Sequence, residues 1–127
     1  MEADERRTAG HYLAGLNLDG RKVVVVGGGS VAQRRLPNLL AANAKVVVVA
    51  VDPTPAVEAN PLVEIVRRPY ADGDLDGAWY AIACTDDPEV NAAVVEEATR
   101  RRVFCVRADD ARLGTAVTPA SGRSGTL

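Results

Sequence analysis

The sequence predicts a single α/β domain built on a doubly wound parallel sheet, and three observations carry that prediction. Short β-branched runs alternate with segments of helical periodicity along the 127 residues, the pattern of strands joined by crossover helices. The runs at 22–26 and 46–51 are almost entirely valine and alanine, as strands covered on both faces are. Hydrophobic residues make up 47% of the chain but aromatic ones only 4%, so the core is aliphatic. The length suits one such core and not two.

Residues 1–20 read as a lead-in, with Tyr12, Leu13, Leu16 and Leu18 expected to pack on the domain edge; the domain proper is expected over 21–119. The first strand is placed at 22–26. Gly27-Gly28-Gly29 breaks it, and a helix follows with Ala32, Leu36, Leu39 and Leu40 on one face. Pro37 removes one of that helix's hydrogen bonds and is expected to kink it, and Asn43 suits a left-handed stop. The second valine strand, 46–51, ends in Asp52-Pro53. A short helix is expected within 54–60, a strand at 62–66 and another at 79–84. This last strand closes at Thr85-Asp86-Asp87-Pro88, a helix start with Asp87 as N-cap and Pro88 in the first turn. Val90, Ala93, Val94 and Ala98 are expected to face inward. Arg100, Arg101 and Arg102 suit the negative end of the helix dipole. A fifth strand is placed at 103–106, followed by an irregular polar segment and a loose tail at 120–127.

Several function classes are excluded at this stage. A net charge of -2 and a pI near 5.4 leave no footprint for nucleic acid. No apolar run approaches the roughly 20 residues of a membrane span, and the opening residues lack the order of a signal peptide. Cys84 and Cys105 each sit in an apolar strand and read as buried small hydrophobes of a reduced, cytoplasmic protein. No metal-ligand spacing occurs, and the one histidine, His11, lies in the polar lead-in,.

Gly27-Gly28-Gly29-Ser30-Val31-Ala32 matches the dinucleotide fingerprint G-x-G-x-x-A of Rossmann-type domains,. Gly27 permits a tight exit from the strand, Gly29 lets backbone N–H groups approach a pyrophosphate, and Ala32 keeps the helix close to the sheet. The helix N-terminus then favours the anion. Asp52, at the end of the second strand, suits an acceptor for ribose hydroxyls that repels a 2′-phosphate, favouring NAD over NADP. Asp52 equally suits a plain turn before Pro53.

Over residues 23–119 the sequence resembles the precorrin-2 dehydrogenase / sirohydrochlorin ferrochelatase module of siroheme synthases. The resemblance rests on VVVGGGSVAQRR at the first strand and turn, AWYAIACTDDPEVN before the third helix, and FCVRADD followed by TAVTP. It implies NAD-dependent oxidation of precorrin-2 to sirohydrochlorin, with ferrous iron insertion by the same module in many members. It also assigns residues. Ser30 and Val31 fall on positions that contact NAD, Val51 and Asp52 on those that meet the adenosine ribose, and Thr85 and Asp86 on the loop lining the cofactor's other side. Asp109 falls on the catalytic aspartate, with Asp110 as its neighbouring rival, Asp109 being favoured by its spacing to Pro119.

A polycarboxylate tetrapyrrole calls for local basic groups, and Arg34, Arg107 and Arg112 are the candidates to grip it; Arg35 and Arg123 read as surface charge. The resemblance further implies a homodimer, built by a strand, a serine- and glycine-rich loop and a helical segment that this sequence does not contain. Three readings stay open here: the dehydrogenase, an NAD- or tetrapyrrole-binding module without turnover, and a dehydrogenase for another substrate on the same fold.

Overall fold

The computed structural model describes residues 10–118. Five parallel strands form one sheet in the order β3-β2-β1-β4-β5: β1 (Lys22–Val26), β2 (Lys45–Val49), β3 (Val63–Val66), β4 (Tyr80–Ala83) and β5 (Phe104–Arg107). Helix α1 (Ser30–Ala41) joins β1 to β2, α2 (Pro55–Glu58) joins β2 to β3, and α3 (Pro88–Arg101) joins β4 to β5. A 3-10 turn (Ala111–Leu113) follows β5.

Period-two alternation along the buried strands splits the core into two layers. Val23, Val25, Val46, Val48 and Ile82 pack with Ala32, Leu36 and Leu39 of α1 and Val57 of α2. Val24, Val26, Ala81, Ala83 and Cys105 pack with Val94 and Ala98 of α3 and with Leu75. The sheet is therefore wound on both faces, as the sequence predicts.

The elements differ from expectation in instructive ways. The second strand ends at Val49, because its last bond to β3 is Ala50 N–H to the Val66 carbonyl (3.1 Å); Val51 is 67% exposed. Helix α1 runs through Pro37. Pro37 is exposed, so the Gln33 carbonyl left without its helical donor can be met by water. Asn43 has φ 60° and stops the helix as expected.

In α3, Asp87 accepts from the Glu89 N–H (2.9 Å) as the N-cap, and Arg102, at φ 59°, forms the left-handed C-cap. Ala93 turns outward, however, and the inner face is Asn91, Val94, Glu97 and Ala98. The arginines at its far end do more than face a dipole. Arg100 pairs with Asp72, and Arg101 pairs with Glu97 (2.7 Å) and Asp76 (3.2 Å). Of the described lead-in residues, 10–20, only Leu18 is buried; Tyr12, Leu13 and Leu16 are exposed, contrary to the expected packing. Val103 precedes the fifth strand, which extends instead to Arg107. Pro119, Arg123 and the tail at 120–127 lie outside the described residues. Among the described residues no helix is long and apolar enough to cross a membrane.

Candidate functional site

Helix α1, which follows β1, and α3, which follows the neighbouring β4, pack on opposite faces of the sheet. The strand order reverses between them, which opens a crevice at the carboxyl edge. A cleft of about 660 Å³ occupies it, lined by the glycine turn, by 49–52, by 68–70 and by 84–87. That volume lies in the range of small-molecule sites.

The three glycines do different work. Gly27 sits at φ +122°, and a Cβ there would stand 2.7 Å from the Cys84 carbonyl oxygen. A Cβ on Gly28 would stand 2.8 Å from both Ala50 Cβ and Pro53 Cα, and the Gly28 carbonyl accepts from Thr54 N–H (2.8 Å). These two close the backbone against β4 and the β2 exit. Gly29 is unlike them: a Cβ would meet nothing within 4 Å, so its freedom from a side chain leaves open cleft. Gly29 is also the N-cap of α1, whose N-terminus has no side-chain cap and no acid in its first turn. Unclaimed N–H groups beside empty space suit a pyrophosphate.

The residues expected to contact the cofactor, Gly27, Gly28, Gly29, Ser30, Val31, Val51, Asp52, Thr85 and Asp86, all line this cleft. Asp52 is exposed at its lip. Thr85 is fixed by Asn91, a fully buried residue of α3. The Asn91 Oδ1 accepts from Thr85 N (3.0 Å) and Oγ1 (2.7 Å), and its Nδ2 donates to the Thr85 carbonyl (3.0 Å). The Asn of the T-D-D-P-E-V-N segment is thus the clasp of the opposite loop.

Arg68, Pro69 and Tyr70 complete the wall, and sequence reasoning misses them. Tyr70 donates to the buried Glu97 carboxylate, which also accepts from Leu75 N–H (3.2 Å) and Arg101 Nε (2.7 Å). Burial pushes the Glu97 carboxyl up, but Tyr70, Arg101 and the backbone N–H groups of Gly73 and Leu75 outweigh it and hold it below the usual range. Burial, reinforced by the hydrogen bond to Glu97, raises the Tyr70 phenol well above its ordinary value. One signal was available: Glu97 lies on the stripe of Val90 and Val94, with Arg101 four residues on.

Asp109 lies beyond β5 and does not line the cleft. Arg107 Nε and Nη2 grip it at 2.7 and 3.2 Å, and Nη2 also donates to the Pro88 carbonyl (3.2 Å). The Arg107 guanidinium holds the Asp109 carboxyl below the usual carboxylate range, against desolvation and with help from the Asn91 amide. Arg107 is thus already engaged, in contrast to a free grip for substrate. Asp110 caps the 3-10 turn and pairs with Arg112 (3.1 and 3.0 Å), which lowers its carboxyl. Arg34 stands on the exposed side of α1 and Arg112 is 88% exposed; neither lines the cleft.

Residues 14–120 match the family described as "Putative NAD(P)-binding". A siroheme synthase of Azotobacter vinelandii is 43% identical over 112 residues, covering 82% of this chain and 23% of the relative. "Siroheme synthase 3" of Aeromonas hydrophila is 39% identical over 106 residues, covering 81% and 23%. The chain therefore spans about a quarter of the length of these relatives. Among solved structures, "SirC, precorrin-2 dehydrogenase" superposes with a TM-score of 0.74 at 28% identity, covering 87% of this chain and 55% of that one. The D-lactate dehydrogenase of Escherichia coli, at TM-score 0.55 and 20% identity, shares the fold alone. With its glycine turn, clasped loop and strand order, the chain belongs to this NAD(P)-binding family, as the nucleotide-binding module of the siroheme synthase type.

Proposed function

We propose that this chain binds NAD in the cleft and serves as the nucleotide-binding part of a dehydrogenase that oxidises precorrin-2 to sirohydrochlorin. The observation that carries the cofactor assignment is Gly29, where a missing side chain and an uncapped helix N-terminus meet open space. The likeness to SirC carries the substrate assignment.

Bound NAD supplies the hydride acceptor. The chain's own residues do the rest. The α1 N-terminus and the Gly29 backbone hold the pyrophosphate, Ser30 and Val31 extend that floor, and Val51 and Asp52 meet the adenosine ribose. Thr85 and Asp86, held by Asn91, bound the opposite side. Asp109 takes the proton that leaves the macrocycle as the hydride departs, and passes it to solvent. Asp109 is ionised at neutral pH and can accept a proton, while its pairing with Arg107 weakens it as a base,. Arg107 positions Asp109, while the exposed Arg34, and Arg112 on release from Asp110, are the cations offered to the substrate's carboxylates. In the siroheme synthases the same carboxylate would assist metal insertion, with ferrous iron as substrate.

A second reading, a nucleotide-binding module without turnover, is favoured by one specific observation: Asp109 is clamped by Arg107 outside the cleft. Anaerobic incubation with precorrin-2 and NAD separates the two. NADH formation with the spectrum of sirohydrochlorin, lost in Asp109→Ala while NAD still binds, supports the dehydrogenase. NAD binding without turnover supports the module.

A further inference from the structure

Two arginines follow β3, and each is held by a carboxylate. Arg67 donates to Glu58 on α2 (Nη1–Oε1 2.7 Å) and does not line the cleft. Arg68 does line it, beside Asp52, and is the one cation among the described residues that do. The register accounts for this. Val49 pairs with Val66, so the chains leaving β2 and β3 emerge side by side, three residues on at Asp52 and two at Arg68.

Arg68 is nonetheless committed elsewhere. Its Nη1 and Nη2 donate to Asp74 Oδ2 (2.9 Å) and Oδ1 (2.6 Å), and Nη1 also to the Pro69 carbonyl (3.1 Å). Asp74 is 9% exposed against 47% for Arg68, and it is anchored in turn by the Ala71 N–H (2.8 Å). The carboxylate is thus the fixed partner and the guanidinium the movable one.

An NADP site needs a guanidinium free at this place, because its fork matches a 2′-phosphate. We propose that the Arg68–Asp74 pair sets cofactor choice: Asp74 takes the fork of the cleft's cation and leaves Asp52 facing the 2′ position, so that NAD is accepted and NADP refused. This rests on the reading of the cleft as a dinucleotide site with the ribose at Asp52.

The test is calorimetric titration of the chain with NAD and with NADP at low salt, with thermal melts to verify folding. Asp74→Asn keeps an oxygen for the Ala71 N–H but loosens Arg68, and the ratio of NADP to NAD affinity is expected to rise about tenfold, the scale of one charge-assisted hydrogen bond. Adding Arg68→Ala to Asp74→Asn should abolish that rise. Glu58→Gln removes the same charge from Arg67 outside the cleft, and the ratio should stay within about twofold of wild type. A folded Asp74→Asn protein that binds NAD at an unmoved ratio overturns the inference, as does an equal rise in Glu58→Gln or a rise that survives the double variant. Should Asp74→Asn not fold, Arg68→Gln decides: a latched arginine contributes little, so a tenfold loss of NADP affinity would show it already serving the phosphate. Wild-type protein that binds neither nucleotide sinks the cleft reading itself, and this inference with it.

Discussion

Replacing Glu97 by Gln probes whether one buried carboxylate holds the far wall of the cleft. Glu97 is fully buried and collects donors from Tyr70, Leu75 and Arg101. An amide keeps one acceptor oxygen and puts an NH₂ group where the other carboxylate oxygen was. With the NH₂ turned toward Tyr70, whose hydroxyl can accept it, the cost lies chiefly in the charge withdrawn from Arg101,. Removing one partner of a buried ion pair costs about 3–5 kcal/mol, but Arg101 is 36% exposed and keeps Asp76, so it can rehydrate. The expected loss is therefore at or below the low end, about 3 kcal/mol. Against a total of about 5–15 kcal/mol for a domain, that is readily measured by urea unfolding followed by circular dichroism. The pH dependence follows from the direction of the shift. The folded carboxyl titrates below its unfolded value of about 4.3, so its contribution is present above that pH and fades as pH falls through the folded value. Wild type and variant should converge in acid. A loss below about 1 kcal/mol at pH 7, or a gap that persists in acid, would mean that the donors around Glu97 merely offset the desolvation of the carboxylate.

Gly29→Ala should fold with a change of no more than about 1 kcal/mol, since the new Cβ meets open space, yet weaken NAD at least tenfold in titration. Gly27→Ala should instead lose about 2 kcal/mol or more in unfolding, because strain at φ +122° adds to the contact with the Cys84 carbonyl,. Asn91→Ala strips three bonds from Thr85; at about 1 kcal/mol each, less what water recovers at a half-buried loop, the loss should be about 2 kcal/mol, with weaker NAD binding. Burial pushes the Cys84 thiol up to about 12 and that of Cys105 up to about 11, so native protein at pH 8 should react with iodoacetamide far more slowly than unfolded protein. If precorrin-2 turnover depends on ionised Asp109, its acid limb should lie below the ordinary aspartate value of about 3.9 and move upward in Arg107→Leu.

Where the fold was legible, the controlling physics was local. Valine runs specify buried strands, Gly27 supplies a positive φ, and Asp87 with Pro88 starts α3, all within a few residues. The end of β2 is not legible, because Val51 continues the valine pattern and only the reach of β3 ends the ladder. The inner stripe of α3 is likewise hidden from a reading by apolar character, which places Ala93 inward, because the buried face carries Asn91 and Glu97. Least legible was the link from β3 to β4. It holds together through Arg68–Asp74, Arg100–Asp72, Arg101–Asp76 and Tyr70–Glu97, and three of these four join residues 25 or more positions apart. Of the site, the glycine floor and the Thr85 loop could be read from sequence. The wall at 68–70 could not, since no periodicity marks a residue positioned by a distant helix.

Helix α3 is what joins these parts. Its first turn offers the Pro88 carbonyl to Arg107, which holds Asp109; one turn on, Asn91 clasps Thr85; further on, Glu97 holds Tyr70. An all-apolar inner face would pack against the sheet with less desolvation of polar groups. Asn91 and Glu97 instead direct their hydrogen bonds sideways, to loops on the cleft's two sides. The two positions should therefore differ from an ordinary core position in what they disturb. Asn91→Ala and Glu97→Gln should weaken NAD out of proportion to their cost in stability, while Val94→Ala, on the same face, should cost about 1–3 kcal/mol and leave the affinity of the folded fraction near wild type. If all three lose NAD affinity in proportion to stability, α3 supports the cleft only by keeping the domain folded, and its buried polar residues have no separate share in the site.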